Sequence, residues 1–159
     1  MTGEPERKRH PVGLFDAHAK HVLSCAQREA ERRGGKFLIS GLLLYSAANL
    51  GDVFARRLNE AMNTELDSLN AAVDAEWRGR SPFFEDDPVT LVNEACTSVA
   101  AGVEPGSAPS FSALLAAMLR YPNSMASRVV RRVDVDPVRL AERLSLFETT
   151  TPPNAHYSA

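Results

Sequence analysis

Cysteine is scarce in this chain, which contains two in 159 residues. Two cysteines cannot form the disulfide framework of a small secreted domain, so we expect a reduced, cytoplasmic protein. Long apolar runs are also missing. No stretch reaches the roughly 18 apolar residues that span a bilayer, and the N-terminus lacks the apolar segment of a signal peptide. The sequence therefore predicts no membrane partner.

An excess of charge of one sign is likewise absent, because the formal net charge is only −2. Such a balance gives no general attraction to nucleic acid or to an anionic membrane. The one basic cluster, at 7–10, is short, has no interleaved aromatic residues and is offset by Glu4 and Glu6. No phosphate-binding G-x-x-x-x-G-K-[ST] run occurs either. We therefore expect no nucleic-acid partner and no bound nucleotide.

Helical patterns account for most of what is present. Hydrophobic residues make up 44% of the chain, which suffices for a packed core. They recur at helical spacing, and strand-like alternation is confined to a short stretch at 129–135 that suits a helix equally well. The predicted fold class is all-α with about eight helices. The first is predicted to follow Asp16 and to end at Arg32-Arg33. The predicted ranges of the others are 41–50, 53–62, 64–79, 87–101, 111–119, 124–132 and 138–147.

Several predicted helices are preceded by a residue that can cap them. Asp16, Ser40 and Asp52 each stand before an apolar helical pattern, and their side chains can accept a hydrogen bond from the first turn. Asp136 is followed by Pro137, and proline is favoured at the first helical position. These residues fix where four of the helices are expected to begin.

The first helical unit returns in weakened form. The segments 15–58 and 84–129 both open with phenylalanine and an acid, and an apolar pair follows seven and eight positions later. A period this long that occurs twice predicts a duplicated four-helix unit. The fold is thus expected to consist of two pseudo-repeats, repeat one at 15–79 and repeat two at 84–147.

The domain boundaries follow from composition. Charged residues, proline and glycine crowd the N-terminal end of the chain, and the C-terminal end is polar with two prolines. We predict a flexible N-terminal tail over 1–13, one domain over 14–148 and a flexible C-terminal tail over 149–159. The stretch Arg80-Ser81-Pro82 is the predicted linker between the repeats.

The ordered motifs resemble the N-terminal domain of the Clp family of AAA+ unfoldases, of the ClpC and ClpA type. The family's first helix carries A-x-x-V-L-x-x-A-x-x-x-A, which stands unbroken here at 19–30. Its second helix opens with G-T-E-H-I-L-L-G-L, and this chain has I-S-G-L-L-L-Y-S-A at 39–47, without the glutamate and histidine. The family's third-helix pattern, V-A-A-x-x-L, matches 53–58. The resemblance, which covers about 15–146, implies a double four-helix fold.

The resemblance also implies a function, that of a non-catalytic protein-binding module. Because the chain carries no ATPase module, we expect a free-standing recognition domain. It would act as an adaptor, a competitor for adaptors or a client holder in Clp-dependent proteolysis, with a Clp unfoldase, an adaptor or a client as partner. Two alternatives stay open. One is a protein that sequesters a peptide-like ligand such as a cyclic peptide antibiotic, and the other is a regulatory interaction domain unrelated to proteolysis.

One inherited site is altered. By resemblance, each repeat of a ClpC-type domain holds phosphoarginine with a glutamate and an N-cap hydroxyl. The glutamate positions correspond to Gly41 and Ser112, and the hydroxyl positions correspond to Asp16 and Glu85. A carboxylate that faces a phosphate repels it unless a cation intervenes. We therefore predict that phosphoarginine binding is lost.

The two helix starts form the predicted partner-binding surface. Phe83 and Phe84 are adjacent, so both cannot easily face one core, and Phe15 occupies the equivalent place in the first unit. Exposed aromatic residues beside a groove are common anchors for a partner. Asp16 and Glu85 complete the predicted set. The alternative is that the three phenylalanines pack against their own helices.

No cluster predicts catalysis or a metal. His18, His21 and Cys25 share one helical face and have donor atoms that zinc accepts, but no fourth ligand is evident. We therefore predict a solvated polar face with no metal site. The acids at 85–87 suit a helix start, and no nucleophile motif such as G-x-S-x-G occurs. We expect no enzyme activity and no cofactor.

Overall fold

The architecture is all-α. The computed structural model describes residues 15–35, 39–79, 95, 97–99, 101 and 110–150. The helices with both ends inside these ranges are α1 (Ala17–Arg32), α2 (Ser40–Ala48), α3 (Val53–Met62), α4 (Leu66–Gly79), α5 (Phe111–Leu119), α6 (Met125–Arg132) and α7 (Pro137–Thr150). Ala95, 97–99 and Ala101 are helical too, so the described residues include part of an eighth helix between α4 and α5. The prediction of an all-α fold with about eight helices is confirmed.

Helix α1 begins and ends as its sequence predicts. The Asp16 carboxylate accepts a hydrogen bond from the Ala19 amide at 2.8 Å, which satisfies one of the free donors of the first turn. At the other end, Gly34 adopts a left-handed φ of 82°, and the Gly35 amide donates to the Ala30 carbonyl at 2.8 Å. The buried stripe of the helix consists of His18, Ala19, Val22, Leu23, Ala26 and Ala30.

Helix α2 lies at the centre of the fold. Its residues Leu42, Leu43 and Leu44 are fully buried, and it contacts α1, α3, α4, α5 and α6. A helix that is apolar on nearly every side must be covered on nearly every side, as predicted. Burial of each leucine contributes about 1.5–3 kcal/mol. No helix in the described ranges is both long and apolar enough to cross a membrane.

Helices α5, α6 and α7 form the rest of the described core. Phe111 is fully buried at the start of α5, which packs along α7. Ser124 caps α6, because its hydroxyl accepts a hydrogen bond from the Ser127 amide at 3.1 Å and donates one to the Met118 carbonyl at 3.1 Å. The sequence predicted α5 to the residue and placed the start of α6 within one position.

The predicted cap of α2 is wrong. Ser40 is the first residue of the helix, and Ile39 stands at the N-cap position without a side-chain hydrogen bond. The Ser40 hydroxyl instead accepts a hydrogen bond from the Ala126 amide at 2.9 Å. This amide belongs to the first turn of α6, where backbone donors have no partner within their own helix. Ser40 therefore helps to satisfy the start of a different helix, across the core.

Helices α2, α4 and α7 also differ from the prediction at their ends. Helix α2 ends at Ala48 instead of Leu50, and helix α7 begins at Pro137 instead of Val138. Helix α4 begins at Leu66 instead of Thr64, because Asn63 ends α3 in a left-handed conformation with φ 51° and the chain must recover over the next residues. Helix α7 continues to Thr150, past the predicted start of the tail at 149. The predicted N-terminal tail, the linker at 80–82 and the C-terminal residues after Thr150 lie outside the described residues.

Side chains link the first four helices to the last three. Glu76 of α4 accepts hydrogen bonds from Arg128 at 3.0 Å and from Arg132 at 2.6 Å, both on α6. Arg143 of α7 donates to the Ala61 carbonyl of α3 at 2.9 Å. The buried apolar residues form one continuous core. The arrangement as two repeats, with its domain boundaries, stays a prediction.

Candidate protein-binding surface

Phe15, one of the predicted anchors, is a core residue. Its side chain is 2% exposed and belongs to the continuous apolar core. An anchor for a partner must be reachable from solvent, so the prediction that Phe15 contributes to the binding surface is not supported by its position. The position of Phe15 agrees with the alternative, in which this phenylalanine packs inside its own unit. The sequence does not distinguish the two, because an aromatic residue before an N-cap suits either role.

The other predicted residues at the helix starts fall into two groups. Asp16 is half-buried, and its carboxylate is engaged as the cap of α1. Phe83, Phe84 and Glu85 lie outside the described residues, so their part in a partner-binding surface stays a prediction. The structure therefore does not bring the predicted set together at a described site.

Both positions of the altered family site are inside the protein. Gly41 is buried in α2, and a Cβ built on it would lie 2.5 Å from the Met125 side chain. Ser112 is 3% exposed, and its hydroxyl lies 3.0 Å from the Ser110 hydroxyl at the start of α5. Neither position presents a carboxylate to solvent.

His18 is buried, which corrects the prediction of a solvated polar face. Its side chain is 4% exposed and packs against Phe54 and Phe111, with ring centroids 5.0 and 6.2 Å away. The signal was present in the sequence, because residues 18, 22, 26 and 30 are spaced by four and therefore share one helical face. A histidine among small apolar residues at that spacing belongs to the buried stripe.

One charged group approaches the His18 ring closely. Nε2 lies 3.2 Å from Oδ2 of Asp52, whose other carboxylate oxygen accepts a hydrogen bond from the Ala55 amide at 2.8 Å. Burial lowers the pKa of His18, and this effect outweighs Asp52 and Asp16, which raise it. His18 thus joins α1 to the cap of α3 mainly in its neutral form near neutral pH.

His21 and Cys25 remain near the surface of α1. The Cys25 thiol lies 3.9 Å from Nε2 of His21 and accepts a long contact from Arg28 at 3.6 Å. With His18 turned into the core, the three predicted donor atoms do not converge. Within the described ranges, no group of three or more His, Cys, Asp or Glu side chains is arranged to hold a metal.

A groove runs along the solvent side of α3 and was not predicted. Its larger part has a volume of about 710 Å³. This part is lined by Arg56, Asn59, Glu60, Asn63, Thr64, Glu65 and Ser68. A smaller part of about 280 Å³ shares Arg56 and Asn59. It is also lined by Ala48, Asn49, Gly51, Asp52, Ala55 and Leu66. We call the two parts together the α3 groove.

The α3 groove contains a buried acceptor. The Asn59 side chain donates from Nδ2 to the Ala48 carbonyl at 3.2 Å, while its Oδ1 atom is buried and has no hydrogen-bond partner among the described residues. A buried oxygen without a donor costs about 1–3 kcal/mol. Sequence reasoning could not find this feature, because the groove forms where α3 and the start of α4 meet at an angle that no local pattern specifies.

Comparison with known proteins assigns no family. No protein-family model matches this chain, and no curated protein matches it. The resemblance to the Clp N-terminal domain therefore stays a prediction, carried by the motifs at 19–30, 39–47 and 53–58 and by the weakened return of the first unit.

Proposed function

We propose that this protein is a non-catalytic protein-binding module of Clp-dependent proteolysis in the cytoplasm. It acts as an adaptor, as a competitor for adaptors or as a holder of clients. No chemical step is assigned to it. Its task is to present a folded helical surface to a Clp unfoldase, to an adaptor or to a client chain.

The observation that carries this proposal is the agreement between the motif order and the helices. The motif at 19–30 lies within α1, and its alanines, valine and leucine are all buried. The motif at 39–47 spans the start and most of α2, and the motif at 53–58 begins at the first residue of α3. Each family pattern thus occupies one helix, in family order. Its apolar residues are buried except Val53, which is 57% exposed, and Tyr45, which is half-buried.

The surface that best supports binding is the α3 groove. It lies on the outer side of a helix that the family pattern includes, and its larger part is an open hollow lined mainly by polar and charged side chains. The predicted helix-start anchors give less support, since Phe15 is buried. We therefore place the described part of the binding surface along α3.

The described altered positions support the predicted loss of phosphoarginine binding. Gly41 and Ser112 are buried, and Asp16 already caps α1. We expect calorimetric titration of the intact chain with phosphoarginine to give no saturable heat. A saturable isotherm would contradict the predicted loss and would return the site to the helix starts.

The direct test is reconstitution with purified Clp components from the source organism. The intact chain is mixed with the Clp unfoldase ring, with its adaptor and with an unfolded client, and complexes are measured by size-exclusion chromatography. Degradation of the client is followed in parallel. We expect a stoichiometric complex with at least one of these components and an altered degradation rate.

Two matched variants locate the surface. Ser68→Trp fills the α3 groove, whereas Ser24→Trp adds the same bulk on the exposed side of α1. Loss of the complex in Ser68→Trp alone supports the groove, and equal binding by both variants moves the surface elsewhere. If no component binds the intact chain, the proposal is wrong. Saturable binding of a cyclic peptide in that case would favour the ligand-sequestering alternative.

A further inference from the structure

We propose that the α3 groove binds an extended polypeptide segment that carries lysine or arginine. This inference deepens the proposed function, on which it rests, by giving the chemistry of the bound segment. It follows from the shape of the groove, from its charge and from the hydrogen-bonding groups that line it.

The shape suits a segment in extended conformation. The groove follows α3 from Asp52 to Asn63, and eleven helical steps of about 1.5 Å give a length of roughly 16 Å. An extended chain rises about 3.3 Å per residue, so about five residues fit along it. The smaller part has an apolar floor of Ala48, Ala55 and Leu66, which suits the aliphatic stem of a long side chain.

The charge favours a cationic segment. Among the ionisable residues lining the groove, Asp52, Glu60 and Glu65 are acidic, whereas Arg56 is basic. The lining thus has an excess of two negative charges at neutral pH. A lysine or arginine is therefore expected to enter more readily than an acidic residue.

The charged groups of the larger part are not engaged by other residues within the described ranges. The side chains of Arg56, Glu60 and Glu65 make no hydrogen bond or ion pair with any other residue that the structure describes. Elsewhere comparable groups are paired, as where Glu76 accepts hydrogen bonds from Arg128 at 3.0 Å. A ligand therefore does not have to break existing pairs before it binds in the groove.

The neutral groups point to a polypeptide rather than to a simple polyamine. Asn63 has both an amide donor and a carbonyl acceptor, and Thr64 and Ser68 have hydroxyls that both donate and accept. A polyamine offers donors alone and would leave the Arg56 guanidinium without an acceptor. A peptide backbone alternates donors and acceptors and can satisfy both kinds.

The buried oxygen of Asn59 gives a second, independent reason to expect a donor. Oδ1 has no partner among the described residues, and Asn59 lines both parts of the groove. For a bound backbone N–H to reach Oδ1, the amide has to turn outward, which exchanges the Nδ2 bond to the Ala48 carbonyl for the new one.

The test uses the full chain and two synthetic peptides of about ten residues, long enough to span the groove. Both are built on glycine and serine, one with evenly spaced lysines and the other with glutamates at the same places. Binding is measured by calorimetry and by amide chemical-shift changes. We expect the lysine peptide alone to bind, with shifts concentrated on α3 and with affinity that falls as salt rises.

Matched variants separate the groove from net charge. Glu60→Gln with Glu65→Gln removes two acids from the groove, whereas Glu31→Gln with Glu142→Gln removes two exposed acids from α1 and α7. The groove pair should weaken lysine-peptide binding about tenfold, since two surface ion pairs are lost, and the other pair should leave it nearly unchanged. Circular dichroism establishes that all variants fold.

Three results would overturn the inference. They are no saturable binding of the lysine peptide, equal weakening by both pairs of substitutions, and no weakening by the groove pair. The reconstitution with Clp components is run on the same variants. Clp binding that survives the groove pair would leave the proposed function standing while the inference fails. Groove-dependent peptide binding without any Clp complex would leave the inference standing alone.

Discussion

Acidification is expected to destabilise this protein through one buried histidine. His18 is 4% exposed, lies between Phe54 and Phe111, and has a pKa that burial lowers below the ordinary value of 6.5. The unfolded chain therefore binds a proton at His18 at a higher pH than the folded chain does. Stability is expected to be constant above about pH 7.5 and to fall as the pH drops through 6.5. The loss ends once the pH is below the pKa of the folded state.

The groups around His18 fix the direction of this effect. Asp52, with Oδ2 at 3.2 Å, and Asp16 favour the protonated ring, while His21 and burial oppose it, and burial is the largest effect. One titrating group changes the free energy of unfolding by at most about 1.4 kcal/mol per pH unit. The His18 contribution lost between pH 6.5 and 5.5 therefore lies below that limit, at no more than about 1 kcal/mol.

The assay is urea denaturation, followed by circular dichroism, at steps from about pH 7.5 to about pH 5. His18→Gln removes the titrating ring, and His21→Gln removes an exposed histidine three positions away on the same helix. The intact chain and His21→Gln should lose stability together, while His18→Gln should lose less. Burial raises the pKa of Glu29 and Glu76, but hydrogen bonds from their arginines outweigh it and lower the pKa, so their losses begin about one pH unit above the ordinary value of 4.5 and are shared by all three chains. Parallel curves for the intact chain and His18→Gln would refute the reasoning.

Three further predictions concern the contacts that join the helices. Ser40→Ala should lower the free energy of unfolding by about 1–3 kcal/mol, because a buried amide of α6 loses its acceptor, whereas Ser46→Ala on the same helix should cost less. Gly41→Ala should destabilise the intact chain, because the new Cβ meets the Met125 side chain. In a Met125→Ala background this clash is absent, so the higher helix propensity of alanine should make the same substitution neutral or stabilising. Glu76→Gln should cost about 1–2 kcal/mol, since two arginines of α6 lose a half-buried carboxylate partner. The midpoint of urea denaturation measures all three effects. Equal midpoints for Ser40→Ala and Ser46→Ala would contradict the first prediction, and additive effects of the substitutions at 41 and 125 would contradict the second. An unchanged midpoint for Glu76→Gln would contradict the third.

The sequence by itself determined the helices. Helix α3 was predicted to the residue, because Asp52 caps its start and its apolar residues recur at helical spacing. The centrality of α2 also followed from its composition, since a helix with almost no polar face has to be covered. These features depend on residues within about four positions of one another, which a single sequence displays directly.

The tertiary structure decided which surface is available to a partner. The Ser40 hydroxyl bonds to an amide 86 positions away, and Phe15, which the sequence left between anchor and core, is in the core. His18 carried a readable signal in its spacing from Val22, yet only packing showed that its partners are Phe54 and Asp52. The α3 groove depends on the angle between two helices. Such relations are set by the whole core at once, and neighbouring residues in the chain do not encode them.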